Sequence, residues 1–342
     1  MSAAGKHLIL VLPGLAGPVC DHPQTDYPEG RPAALDRLIT RAQVAAAPGR
    51  DPDSVLLQYF GLDETTPVAP LTYRADCGHA PPGYVMRADP VHLRADQSSL
   101  RLFESHSFTI SQEEADALVA SFNDFYTGYG WHLEAPLPTR WYLQVDAPPS
   151  IDTTSPAALA GEDINPALPR GESARAWHAM LNEVQMLFHA HDVNLAREQR
   201  GQPVINSLWP WGGGVMPEQA STDICRVLTH DPLSVALAGL TGIDVGALPA
   251  DVNALQDTLD DGVTLVMQDD LIWPVRYNDV EQWRAALDTL EHTLFAPLAR
   301  TLAAGRIDSL RLLPCNGRCY TVTRRQLRSF WRRPRPFEQV LA

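Results

Sequence analysis

Two short runs constrain this chain more than anything else in it. "HLILVL" (7–12) and "GVTLVM" at the start of 262–270 are apolar apart from His7, Gly262 and Thr264, with no alternation of faces. A strand that reads this way is buried on both sides, which is the condition of a parallel sheet covered by helices. Helical segments recur between such runs. "RPAALDRLITR" places Pro32 for a first helical turn, and "DPDSVLLQYFG" offers Asp51 as N-cap, Pro52 at the first position and Gly61 as a stop. "ICRVLTHDPLSVALAGLTG" repeats strand-then-helix around Asp231-Pro232. "DVEQWRAALDTLEHTLFAPLARTLAAG" reads as one long helix, with Asp279 and Gln282 as a capping box. Strands alternating with helices predict an α/β fold.

The stretch 89–146 breaks this rhythm. "LRLFE", "GWHLEA" and "RWYLQVD" read as short strands around a helix capped by Ser111 and Glu114, a small α+β unit inserted into the larger domain. The expected division is therefore a core of 1–88 and 147–342 and an inserted cap of 89–146. The segment 147–173 shows almost no periodicity and is expected to be functional or mobile.

Composition narrows the setting. The chain has 342 residues and a formal charge of −14, which disfavours polyanionic nucleic acid and anionic membrane as partners. No apolar run approaches the ~20 residues of a membrane span. Five scattered cysteines argue against a disulfide framework and for a reducing cytoplasm. The exception to the acidic balance is "RRQLRSFWRRPRP", with six arginines around Phe330 and Trp331. It is read as a solvated helix whose two aromatics pack on the core, with an anion grip as the alternative.

The densest polar cluster is "FHAHDVNLAREQRGQPVINSLWPWGGG" (188–214). A helical stripe from Trp177 to Phe188 leads into His191, and Gly201 followed by Pro203 stops the next helix. In "NSLWPWGGG", Pro210 favours an extended Trp209, and three glycines permit an open-backbone turn. Trp209 and Trp211 are expected as walls of a crevice and Gly212 to Gly214 as its floor.

The residues His191, Val193, Asn194, Arg197, Gly201, Pro203, Asn206, Leu208, Gly212 and Gly214 form a long pattern. It resembles the archaeal-type, cofactor-independent phosphoglycerate mutases of the alkaline phosphatase superfamily. With tryptophans in its last strand, it most resembles the bacterial RpfE-type regulatory proteins. The resemblance implies an alkaline-phosphatase-like core with a cap, and a ligand-binding set of His191, Asn194, Arg197, Asn206, Trp209, Trp211, Gly212 and Gly214. It also implies a two-metal site activating a hydroxyl nucleophile.

Here the chain departs from the family. Leu12-Pro13-Gly14 stands where a ligand aspartate should follow the first strand, and "PCNGRC" (314–319) replaces an Asp-His-Ser-Thr-Pro segment. After "TLVMQ" come Asp269 and Asp270 without the expected histidine. Pro52 occupies the nucleophile position, leaving Ser54 as the nearest catalytic candidate. Asp21-His22, Asp76-Cys77-x-His79, Asp89 with His92, and Cys315 with Cys319 are the residues from which a site could otherwise be rebuilt. The expectation is a catalytically lapsed mutase-like protein without metal, binding a small anionic or phosphorylated ligand or a regulatory partner. The alternative is a manganese- or zinc-dependent mutase or phosphohydrolase.

Overall fold

The computed structural model describes residues 5–18, 30–95, 100–159, 163–249, 252–329 and 331–341. Its strands, in chain order, are β1 (Lys6–Val11), β2 (Gln43–Ala46), β3 (Val85–Ala95), β4 (Leu100–Phe103), β5 (Trp131–Leu137) and β6 (Arg140–Val145). They continue with β7 (Ser207–Gly214), β8 (Ile224–Leu228), β9 (Asp244–Gly246), β10 (Gly262–Met267), β11 (Ser309–Leu313) and β12 (Arg318–Thr323). The chain divides into two compact units, Met1–Thr66 with Gln219–Ala342, and Pro67–Glu218.

The first unit holds a sheet of order β2-β12-β11-β1-β10-β8-β9. Five neighbours, β11-β1-β10-β8-β9, run parallel, and β12 and β2 add antiparallel strands at one edge. The two apolar runs of the sequence lie side by side, Lys6 opposite Gly262 through Val11 opposite Met267. Their side chains join a core with Leu35 and Leu38 of the Ala33–Arg41 helix, Trp283 and Leu287 of the Val280–Leu290 helix, and Leu298 and Leu302 of the Ala296–Ala304 helix. This is the largely parallel, helix-covered sheet that the sequence predicts.

One predicted helix is interrupted. Between Val280–Leu290 and Ala296–Ala304 the backbone widens into a π turn, Glu291–Phe295. Such turns shift side-chain phase within a helix. This one accompanies a buried Glu291, whose carboxylate accepts the Ala34 and Leu35 amides at 2.7 and 3.1 Å. The carboxylate thereby serves the first amides of another helix, which have no partner within it.

The second unit is wider than the expected 89–146 insertion. Its sheet has the order β4-β3-β6-β5 with β7 also on β3. The eleven-residue β3 begins at Val85, before the expected boundary, and β7 lies well beyond it. Pairing with β3 thus draws in 67–88 and 147–218. The Gln112–Phe125 helix, capped by Ser111 and Glu114 as predicted, and the Ala174–His189 helix pack apolar faces into one core. The 147–173 segment carries two short 3₁₀ turns, bridges Asp152 to Arg170 and Arg101 to Asp163, and buries Ile164. Its described part is fastened at several points, with Ile164 donating its amide to Leu100 O and the Thr154 carbonyl accepting from Trp209.

Candidate functional site

In open α/β sheets, ligands bind outside the carboxyl ends of parallel strands. In the first unit that edge is lined by the residues after β1, β8, β10 and β11. The loop after β1 is closed by backbone contacts. Leu12 donates its amide to Leu313 (2.9 Å), Gln268 donates to Val11 (3.0 Å), and the Trp283 indole donates to the Gly14 carbonyl (2.9 Å). Gly14 adopts φ +85°, and a Cβ there would stand 2.5 Å from the Leu271 carbonyl oxygen. Leu12, Leu15 and Leu271 are all buried, so the apolar core reaches the strand ends. No side chain on Leu12, Pro13 or Gly14 can donate to a cation.

The carboxylates near this edge have other duties. Asp231 accepts the Ser234 amide (2.7 Å) and caps the Pro232–Thr241 helix. Asp270 accepts from the Gln268 side-chain amide. Asp51 caps the Pro52–Tyr59 helix, accepting the Ser54 amide on one oxygen (2.9 Å) and the Ser54 hydroxyl on the other (2.6 Å). Ser54, the candidate nucleophile, is buried in this reciprocal capping box, and a Cβ on Gly49 would meet its hydroxyl at 2.3 Å.

Cys315, held at φ +60°, lies beside the start of the same helix. Burial, with Asp51 and Asp53 adding repulsion, pushes its thiol up to about 12, so it remains protonated at neutral pH. The partner suggested by spacing, Cys319, sits instead in β12 opposite Ala45, with its sulfur 3.8 Å from the Thr321 hydroxyl. Among the described residues, no three His, Cys, Asp or Glu side chains converge to hold a metal. Asp21 and His22 lie outside the described residues. The donor set that is described does not fit a hard two-metal centre, which needs several carboxylates and imidazoles on one locus.

The 188–214 cluster belongs to the second unit, and the structure commits its polar groups to the chain itself. His191 does not extend the Trp177–Phe188 stripe. That helix ends at His189, and His191 caps the next one, Asp192–Gln199, accepting the Val193 amide on Nδ1 (3.2 Å). Asn194 donates to the Phe188 and Ile205 carbonyls (2.8 and 2.7 Å) and accepts the Ile205 amide (2.8 Å). Arg197, 1 % exposed, donates to Pro203 O (2.7 Å), Glu114 Oε2 (2.8 Å) and Thr109 O (2.9 Å). Asn206 bonds both the amide and carbonyl of Leu93 on β3 (2.7 and 2.8 Å).

"NSLWPWGGG" departs most from expectation. Ser207 to Gly214 is strand throughout, paired along β3 from Val91 to Val85. Its only strand partner among the described residues is β3, and an edge strand is the place in a sheet where a proline such as Pro210 is tolerated. The expected open floor is filled. A Cβ on Gly212 would stand 2.6 Å from Val68, on Gly213 2.5 Å from the Tyr84 hydroxyl, and on Gly214 2.3 Å from Pro67. The glycines permit close packing of the Val68–Cys77 helix and Tyr84, not access for a ligand. Trp209 is buried and donates to Thr154 O (2.7 Å), while Trp211 donates to Asp89 Oδ2 (2.7 Å).

Sequence reasoning missed Arg87. Its guanidinium lies between the Tyr142 and Trp211 rings, 5.2–5.4 Å from each centroid, and bonds buried Asp89 at 2.6 Å. The signal was present in the Arg-x-Asp spacing of "MRADP", which puts both side chains on one face of a strand. The other rebuilt-site candidates are likewise engaged. Asp76 binds Arg140 and the Tyr142 hydroxyl, and His92 meets the Val204 carbonyl at 2.8 Å. His79 packs edge-on against Tyr73. No helix among the described residues is long and apolar enough to cross a membrane.

No family model matches the chain. It is 25 % identical, over 241 residues, to the 2,3-bisphosphoglycerate-independent phosphoglycerate mutase of Methanosarcina acetivorans, covering 62 % of this chain and 56 % of that protein. A probable enzyme of the same name from Geobacter sulfurreducens is 23 % identical over 270 residues, 70 % of this chain and 62 % of its own length. The match thus spans less than two thirds of these relatives. Among solved structures, the PH0037 protein of Pyrococcus horikoshii superposes with a TM-score of 0.52 at 15 % identity, over 94 % of this chain and 88 % of that one. The chain is similar in sequence to phosphoglycerate mutases and shares its mixed α/β fold with the PH0037 protein.

Proposed function

We propose that this chain is a phosphoglycerate-mutase-like protein whose two-metal chemistry has lapsed and which acts by binding a small anionic or phosphorylated ligand, or a regulatory partner. One observation carries the proposal. Where the first parallel strand ends, the chain offers Leu12, Pro13 and Gly14 in a backbone-closed, apolar turn, with the Gly14 carbonyl occupied by Trp283. A hard cation finds no donor side chain on those three residues. The regulatory element of the reading comes from the resemblance of "NSLWPWGGG" to RpfE-type proteins.

A second reading has one contact in its favour. The Ser54 hydroxyl donates to an Asp51 carboxylate oxygen at 2.6 Å, which is the geometry of a hydroxyl beside a base. Under that reading the protein is a metal-dependent mutase or phosphohydrolase with Ser54 as nucleophile. Elemental analysis after incubation with manganese and zinc and removal of unbound ion separates the two. About two retained metals per chain, with phosphoglycerate isomerisation abolished in Ser54→Ala, would overturn the lapsed reading. No retained metal and no isomerisation supports it.

A further inference from the structure

The arginine-rich C-terminal segment is neither a continuous helix nor packed down by its tryptophan. Among the described residues of this stretch helix is confined to Arg324–Leu327, Trp331 is 69 % exposed, and Phe330 lies outside the described residues. The segment is fastened along the Ala33–Arg41 helix instead. Asp36 accepts the Phe337 amide at 2.7 Å, and Phe337 is fully buried. The Thr40 hydroxyl accepts the Arg335 amide (2.9 Å) and donates to the Arg335 carbonyl (3.3 Å). Arg41 donates to the Leu327 carbonyl, and the Tyr320 hydroxyl donates to Val340 O (3.2 Å). Pro334 and Pro336 fix their own φ within the stretch, which further limits its freedom.

This tethering presents a set of exposed side chains. Trp331, Arg332, Arg333 and Arg335, with Thr40 and Val340, line a cavity of about 520 Å³. The nearby carboxylates are already engaged, since Asp36 and Glu338 both pair with Arg31, at 3.3 and 2.9 Å. Among the described residues no carboxylate pairs with the guanidiniums of Arg332, Arg333 or Arg335. On a chain of net charge −14, three arginines with no paired carboxylate among the described residues form a local inversion of the protein's field.

We propose that this cavity binds a small phosphorylated ligand carrying a flat aromatic ring, of the mononucleotide class. Guanidinium forks match phosphate oxygens two at a time. The exposed indole supplies a face for ring stacking, and Val340 adds an apolar wall. The volume falls within the range of small-molecule sites. A backbone already anchored by Thr40 and Asp36 reduces the ordering cost of binding. A long polyanion is disfavoured, because the basic stretch is short and the remainder of the chain repels it.

The test is calorimetric titration of the full chain, without added metal, using ADP, adenosine and inorganic phosphate as separate probes. ADP should bind once per chain, and more tightly than either fragment. Trp331→Ala should weaken ADP about tenfold while leaving phosphate affinity unchanged. The combined Arg332→Glu, Arg333→Glu, Arg335→Glu variant should weaken both ADP and phosphate by more than about tenfold, with an unaltered melting temperature because all three side chains are exposed. Absence of ADP binding, or ADP affinity equal in the triple variant, overturns the proposal. So does tight binding of a single-stranded oligonucleotide that ADP cannot displace. Since no metal or mutase substrate enters the titration, its failure leaves the lapsed-site reading intact, and a failure of that reading leaves the cavity's prediction unchanged.

Discussion

Arg197 offers the sharpest separation between a residue that holds the fold and one that holds a ligand. Replacing it by methionine keeps most of the side chain's volume but removes all its donors. Three bonds of 2.7–2.9 Å disappear. The Pro203 and Thr109 carbonyls lose their guanidinium donor, and Glu114 keeps the Ser111 amide and a distant Arg200 at 3.6 Å. Each lost bond to a charged donor is worth about 1.5–3 kcal/mol, and breaking a buried ion pair costs about 3–5 kcal/mol. These figures overlap, so the expected loss is about 3–5 kcal/mol rather than their sum. In urea unfolding, with a slope of about 2 kcal/mol per molar, the midpoint should fall by about 1.5–2.5 M. Glu114→Gln should be partly redundant with it, giving a coupling of about 1–3 kcal/mol in a double-mutant cycle. A loss below about 1 kcal/mol, with no coupling to Glu114, would refute the view that this arginine is an internal fastener.

Other expectations are simpler to state. Gly213→Val drives a branched side chain into the Tyr84 hydroxyl and Met86, and should destabilise the second unit by about 1–3 kcal/mol in the same urea assay. Ser54→Ala removes one half of a capping box and should cost about 1 kcal/mol of stability; a loss of phosphoglycerate turnover instead would favour the enzymatic reading. At pH 8 iodoacetamide should label exposed Cys225 and spare Cys315, whose thiolate fraction is about 10⁻⁴ when its thiol ionises near 12, as peptide mass spectrometry can read. Burial raises the Glu291 carboxyl above its ordinary range despite the two amides that oppose the shift, so the native state holds that proton more tightly than the unfolded chain. Its contribution to stability is greatest below the usual carboxylate range and is lost as pH rises through the raised value. Glu291→Gln should flatten that part of the stability profile, and an unchanged slope between wild type and variant would count against the assignment.

The parts of this fold legible in the sequence are those fixed by local rules. Continuous apolar runs became neighbouring parallel strands, and Asp51, Ser111, Asp231 and Asp279 each cap the helix they precede. The features that escaped depend on partners distant in sequence. Three glycines after a tryptophan read locally as a turn, yet pairing with β3 extends the strand through them. The stripe from Trp177 continues in phase to His191, but the helix stops at His189 and the histidine turns to cap its neighbour. Glu291 sits in what reads as an unbroken amphipathic helix, and its buried role depends on the start of the Ala33–Arg41 helix, more than 250 positions earlier. The second compact unit reaches beyond 89–146 because β3 starts before the composition changes and its partner β7 lies after the 147–173 segment.

These placements separate the residues that hold the scaffold from those on which a reaction would depend. The residues in which the sequence reading sees a resemblance to phosphoglycerate mutases (His191, Asn194, Arg197, Asn206 and the glycines) fasten a helix pair, a loop and an edge strand to one another. Replacing a buried, fully bonded asparagine or arginine strands its partners whether or not any reaction occurs nearby. A pattern built from such residues transmits architecture. The capacity for two-metal chemistry is decided elsewhere, at the strand ends of the other unit, by whether the side chains there can donate to a cation. After β1 and β11 the chain places leucine, proline, glycine and a protonated cysteine, while Asp231 caps a helix and Asp270 accepts from Gln268. On the proposed reading, a sequence keeps the long motif, and with it the fold, whatever its donor positions hold. The motif is evidence for the scaffold, and the strand-end residues are the evidence on which an activity has to be argued.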